Sequence, residues 1–242
     1  MASIQSNEDL LKKMTRAFSD SYDEELGDIK AVTGGKTSNA KNQNIWDVKY
    51  SRLHDVAIET GNTPLHIKRN ALWECVTILE NEKKELFVFF RDKNYQSILR
   101  DLGKKPFHYL DCLLVKNKSK DGQAPFYQPD LFDDTSYDDE RDKQLREILG
   151  DSYEEVNSIV VFTLEEAKGI ATTVKAILLT SNGELIDEMN LSKYMSTNYS
   201  SSAAINDEAP EKTIVKLKAK VKDKNEKINE IKLSKKAEEE KG

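Results

Sequence analysis

Two apolar runs, Leu72 to Leu79 and Leu86 to Phe90, flank a charged break from Glu80 to Lys84. Nothing else in the chain restricts its fold so tightly. Both runs are rich in β-branched and aromatic residues, which suit a pleated, half-buried surface. Five polar residues without glycine fit a longer hairpin loop rather than a two-residue turn. In the second run Leu86, Val88 and Phe90 share one face, and Phe87 and Phe89 the other. Apolar on both faces, this strand is expected at the centre of a sheet. The period then changes. Tyr95, Ile98, Leu99 and Leu102 recur at helical spacing, and Gly103 and Pro106 end that pattern. Leu110, Leu113 and Leu114 open another apolar stripe.

Elements before this stretch read as helices. Leu10, Leu11, Met14, Phe18 and Tyr22 form one stripe, which predicts a helix over 9–26 ending before Gly27, with Ser6 and Asp9 placed like a capping box. Trp46, Lys49, Leu53 and Val56 predict a second helix over 45–59, stopped by Gly61, Asn62 and Pro64. Residues 65–69 suit a short strand leading into the hairpin.

After the central stretch, two prolines and a D-G pair mark a loop over 117–129. Residues 130–155 carry eleven acids against Arg141, Lys143 and Arg146. A short helix over 141–149 is expected inside this acidic insertion, facing inward through Leu145, Ile148 and Leu149. S-I-V-V-F-T, Ser158 to Thr163, predicts a strand. Ile170 to Thr180, the S-N-G turn and Glu184 to Asp187 predict a second hairpin. The expectation is an α+β domain: N-terminal helices on a small, mostly antiparallel sheet of two hairpins, about five strands in all.

Three segments follow: 1–44, a helix and polar linker; 45–196, the core domain with its acidic insertion at 130–155; and 197–242, a linker and Lys/Glu-rich tail. The apolar share, 38%, falls below the roughly 45–50% usual for compact domains, so part of the chain is expected outside the fold. In the tail, Ile214, Leu217, Val221, Ile228 and Ile231 fit a heptad seam that Lys224 interrupts, which predicts a frayed helix or disorder. No run of about 18 apolar residues occurs, so no membrane association is expected. The first residues lack the apolar core of a signal peptide, and a cytoplasmic location is expected.

Several motifs invite chemistry. G-G-K-T, Gly34 to Thr37, ends like a phosphate-binding loop, but Lys30 stands where the pattern needs glycine. A flexible loop is the expectation there. His108 and Cys112 lie four apart and share a helix face, the minimum for an activated thiol; a core thiol beside a capping histidine fits equally well. Glu74, Glu85 and Lys93 bound the hairpin and suggest the carboxylate–lysine set of a metal-dependent nuclease or hydrolase. The acid-x-Lys triplet itself occurs as Asp47-Val48-Lys49, on a predicted helix. Phe87, Phe89 and Phe90 beside Arg91 could stack bases, though a core strand is expected instead. Asp133, Asp134, Tyr137, Asp138 and Asp139, within the acidic insertion, combine charge with an aromatic anchor as protein-binding surfaces do.

N-I-W-D-V-K-Y-S-R-L, R-N-A-L-W-E, F-R-D-K, H-Y-L-D and a strand followed by S-N-G-E-L-I together resemble uncharacterised proteins of low-GC bacteria and their phages, grouped as a domain of unknown function. The resemblance covers Ile45 to Tyr194. It implies a mobile-element setting, where small proteins often bind host or defence proteins, and supplies no site residues.

A net charge of −6 gives no overall attraction to nucleic acid. The expected function is non-enzymatic binding of a protein partner through the acidic surface, without a cofactor. Nucleic acid through the basic tail is a secondary possibility that is not favoured. A metal-dependent nuclease or hydrolase is the alternative.

Overall fold

The computed structural model describes residues 3–4, 6–34, 36–37, 39–70, 73–117 and 136–196, with backbone only at 69, 70, 73, 136 and 137. They belong to the compact unit Met1–Ser196. The polypeptide runs α1 (Glu8–Ser19), α2 (Asp23–Thr33), α3 (Lys41–Glu59), β1 (Thr63–Asn70), β2 (Trp73–Leu79), β3 (Glu85–Arg91), α4 (Asp92–Arg100), α5 (Tyr109–Leu113), α6 (Ser136–Leu149), β4 (Ser158–Ala167), β5 (Ile170–Leu179) and β6 (Leu185–Asn190). The class is α+β.

The strands form one six-stranded sheet in sequence order, β1 to β6. This corrects the expectation of two hairpins. β1–β2–β3 and β4–β5–β6 are each antiparallel, and β3 pairs with β4 in parallel, Glu85 opposite Ser158 through to Arg91 opposite Leu164. The hairpin signals located most of the strands. The parallel join has no local signal, because its partners lie some seventy residues apart in sequence.

Alternation along β3 assigns the layers. Phe89 meets Phe18 of α1, ring centroids 5.3 Å apart, and Phe90 stacks on Tyr109 of α5 at 5.6 Å. Successive residues point to opposite faces, so α1 and α5 lie on opposite sides of the sheet. α3 packs on β1 and β2 beside α1, and α6 packs against α5. β3 is buried over Glu85 to Phe90, as its two-sided apolar pattern requires.

The first helix differs from the reading over 9–26. α1 stops at Ser19, where Asp20 turns extended (φ −63°, ψ 149°). α2 then holds Gly27 within it and ends at Gly34 in the left-handed conformation (φ 62°). That conformation costs glycine least. Gly34 of the G-G-K-T motif is therefore a helix cap. At the start of α1 the cap is Asn7, whose side chain accepts from Asp9 N at 2.8 Å. Ser6 instead donates to Glu85 Oε2 at 2.5 Å. Met14 and Phe18 of α1 are fully buried, so this helix is part of the core.

Two polar groups fasten the layers. Lys49 of α3 is 1% exposed, and its ammonium donates to Phe18 O at 2.7 Å and Glu166 at 3.3 Å. Burial pushes the Lys49 ammonium below the usual lysine range, and Glu166 opposes that shift. Arg91 Nε stands 3.1 Å from Glu166 Oε2 at an angle that makes no hydrogen bond. At the other end of the sheet, the Asn117 amide donates to Ile159 O and Leu179 O, and its oxygen accepts from Ile159 N at 2.6 Å. Asn117 thereby fixes the exit of the α5 segment against β4 and β5.

Candidate functional site

The acidic segment contains a helix that begins earlier than the sequence predicts, at Ser136 rather than Arg141. Arg141 is its anchor. Its guanidinium pairs with Asp111 Oδ1 at 2.9 Å, both side chains 4% exposed. It also donates to Asp111 O at 2.6 Å and Ser181 O at 3.0 Å. Asp111 Oδ2 accepts from Gly103 N at 2.8 Å. One arginine thus ties α6 to α5 and to the β5–β6 turn. Leu145 and Leu149 complete the buried side.

Tyr153, just beyond α6, is engaged within the protein. Lys116 Nζ lies 3.6 Å from its ring centroid and the Arg146 guanidinium carbon 4.0 Å from it. Its hydroxyl donates to Asp142 Oδ1 at 2.5 Å. That hydrogen bond, ahead of the Arg146 pair, holds the Asp142 carboxyl below its usual range. The outward face keeps its charge. Asp138, Asp139, Glu147, Asp151 and Glu154 are exposed, and Asp138 also reaches Arg141 Nη1 at 3.5 Å. Asp133 and Asp134 lie outside the described residues. Tyr137 is in α6, with its side chain outside them.

Glu74, Glu85 and Lys93 are not brought together. Pairing of Ile78 with Phe87 sets Glu74 level with the end of β3, while Glu85 begins β3. Six residues of strand at about 3.3 Å each put roughly 20 Å between those levels. Glu85 is buried and holds Ser6. Lys93 sits on the first turn of α4, in a depression with Asp92, Gln96, Leu99 and Arg100. The Asp47-Val48-Lys49 triplet is helical, with Lys49 buried as described.

His108 caps α5: its Nδ1 accepts from Leu110 N at 3.1 Å. Cys112 is fully buried, with Sγ 3.5 Å from Gln144 Oε1. Burial, with Asp111 adding to it, pushes the Cys112 thiol up to about 11. At pH 8 only about one such thiol in a thousand is ionised, against roughly a quarter at the ordinary value near 8.5. Iodoacetamide at pH 8 is therefore expected to leave native Cys112 unmodified on the timescale that labels the unfolded chain, as peptide mass spectrometry would read. Rapid native labelling would overturn the burial argument. The same shift has a stability consequence. A thiol with a raised folded pKa stabilises the fold below its unfolded pKa, and that contribution is lost as pH rises from about 9 towards 11. Burial raises Tyr50 and Tyr95 as well, so alkaline unfolding is reinforced at still higher pH.

Sequence reasoning missed one cluster. An open cleft of about 500 Å³ lies between α3 and the β1–β2 pair, lined by Asp47, Tyr50, Ser51, His54, Asp55, His66, Glu74, Cys75 and Val76. His66 of β1 and Glu74 of β2 are diagonal neighbours on one face, Nδ1 to Oε1 2.8 Å. This hydrogen bond holds the Glu74 carboxyl below its usual range. His54 of α3 faces His66 edge-on, ring centroids 5.6 Å apart. Asp47 is raised by desolvation. The signal was the short strand at 65–69. Pairing it with β2 places His66 beside Glu74, and the three- to four-residue period of α3 puts His54 on the face that carries Tyr50.

Among the described residues no helix is long and apolar enough to cross a membrane, and no three His, Cys, Asp or Glu side chains converge to hold a metal. Fold and surface thus define an α+β protein with a central six-stranded sheet and an anchored acidic helix. The chain belongs to a "Family of unknown function (DUF5986)", matched over residues 3–241. That span reaches beyond the Ile45–Tyr194 of the sequence resemblance and takes in α1, α2 and the tail. Neither the curated proteins nor the solved structures gave a match.

Proposed function

We propose that this protein acts by binding a basic macromolecular partner, most simply another protein, through the outward face of α6 and the turn that follows. The observation that carries this is the anchoring of the acidic helix. A solvated connector has no need of a buried arginine. Here the Arg141–Asp111 pair and the Tyr153 cluster hold the helix in place while Asp138, Asp139, Glu147, Asp151 and Glu154 stay in solvent. Carboxylates held on a fixed surface steer an oppositely charged partner and set its register. Asp133, Asp134 and Tyr137 precede this face immediately in sequence and belong to the same proposal. A bacterial or phage setting, with a host or defence protein as partner, belongs to this proposal and rests on the sequence resemblance.

Charge reversal tests it. The tagged protein, used as bait in lysate of its native host, is expected to retain one near-stoichiometric partner whose capture weakens with added salt. The variant carrying Asp138→Lys and Asp139→Lys is expected to lose that partner at least tenfold while remaining folded, its unfolding midpoint lowered by the loss of the Asp138–Arg141 contact. Capture that survives the reversal, or a wild-type bait that retains nothing, overturns the proposal.

A further inference from the structure

The cleft between α3 and β1–β2 has no part in the acidic-surface reading, and its chemistry is different. Two of the three histidines of the chain meet there from separate elements, His54 from a helix and His66 from a strand. We propose that His54 and His66 form a two-imidazole site for a borderline divalent transition-metal ion such as Zn²⁺, with Glu74 as the group that orients His66.

Three observations support this. The first is spacing. Two imidazoles on one tetrahedral ion, with metal–nitrogen bonds of about 2.0–2.1 Å, place their ring centres about 5 Å apart. The observed 5.6 Å requires a small approach of one ring. The second is the carboxylate. Glu74 Oε1 lies 2.8 Å from His66 Nδ1, so that nitrogen is taken and Nε2 is the one left to face a ligand. Carboxylate, imidazole and metal in that order are the usual way a protein orients a ligating histidine. The third is the setting. Asp47 and Asp55 line the same open cleft, so its field favours a cation and its mouth admits water to the remaining coordination positions.

Two nitrogens, rather than a closed four-ligand cage, mean a dissociable ion. Imidazole ligands also select against the hard cations. Mg²⁺ prefers oxygen donors and keeps its waters, so it is not expected to compete.

The test uses the full-length, untagged protein, Zn²⁺ as the probe and isothermal titration calorimetry as the readout. One equivalent of Zn²⁺ is expected to bind and to raise the unfolding midpoint, since the ion bridges α3 and β1. His54→Ala and His66→Ala are each expected to weaken binding at least tenfold, and Glu74→Gln by about tenfold, the low end for an orienting carboxylate. His108→Asn, which keeps a capping side chain on α5, is expected to leave binding unchanged, and Mg²⁺ is expected not to bind. His54 and His66 are partly exposed, so their variants can be checked for a wild-type unfolding midpoint without metal. No saturable Zn²⁺ uptake by the wild type overturns the proposal. So does full binding by either folded histidine variant, which would place the ion on carboxylates elsewhere. The acidic-surface reading is read out separately, because Asp138 and Asp139 variants should bind Zn²⁺ as the wild type does.

Discussion

Arg141→Met is expected to lower the stability of the folded unit by about 3–5 kcal/mol, the scale for removing one member of a buried ion pair. The reason is the group left behind. Asp111 is as buried as Arg141, and without the guanidinium its carboxylate keeps only the Gly103 amide at 2.8 Å among the contacts described. The backbone oxygens of Asp111 and Ser181 lose their donors too. For a unit of this size the loss corresponds to a fall in Tm of roughly 10 °C. Adding Asp111→Asn removes the stranded charge while keeping an acceptor for Gly103, so the double variant should recover part of the loss. Denaturant melts of the wild type, the single variant and the double variant check this. A single variant within about 1 kcal/mol of the wild type would show that α6 is held by Leu145 and Leu149 alone.

Phe162→Ala is the second large effect, expected at about 3–5 kcal/mol. Phe162 is fully buried at the middle of β4. Its ring meets Phe87 at 5.5 Å in an edge-on contact and Phe89 at 5.4 Å. On its other side the register places Ala176, whose small side chain leaves room for the ring. The neighbours are held by a sheet paired on both sides of β4 and cannot collapse far, so the cavity should persist. Phe162→Leu keeps most of the volume and is expected to cost far less. Equal losses for the two variants would mean that edge-on ring geometry, rather than volume, dominates at this position.

The legible parts of the sequence were those governed by short-range periodicity. Of the two apolar runs, the first holds β2 from Trp73 to Leu79 and the second lies within β3, and Phe87 and Phe89 do face opposite to Leu86, Val88 and Phe90. S-I-V-V-F-T begins β4. Tyr22 misled the reading of the first helix, because it continues the α1 stripe in number while sitting beyond the break at Asp20. The parallel join, the burial of Lys49 and Arg141 and the meeting of His54 with His66 depend on contacts between elements far apart in sequence. A lysine on a helical stripe is normally read as solvated, and only the positions of Phe18 O and Glu166 reveal that Lys49 points inward. Asp133, Asp134 and the tail segment 197–242 lie outside the described residues.

The parallel pairing of β3 with β4 also sets an order of synthesis. β3 is apolar on both faces and carries unpaired backbone along one side until Ser158 to Leu164 arrive. A ribosome must therefore add some seventy further residues, acidic helix included, before that side is closed. During this interval the nascent chain presents an open strand of the kind that invites pairing with another chain. Fragments ending before Ser158 would keep that side open permanently. The acidic insertion lies in the same interval, so the growing chain carries a strong negative charge just ahead of the segment that completes its sheet.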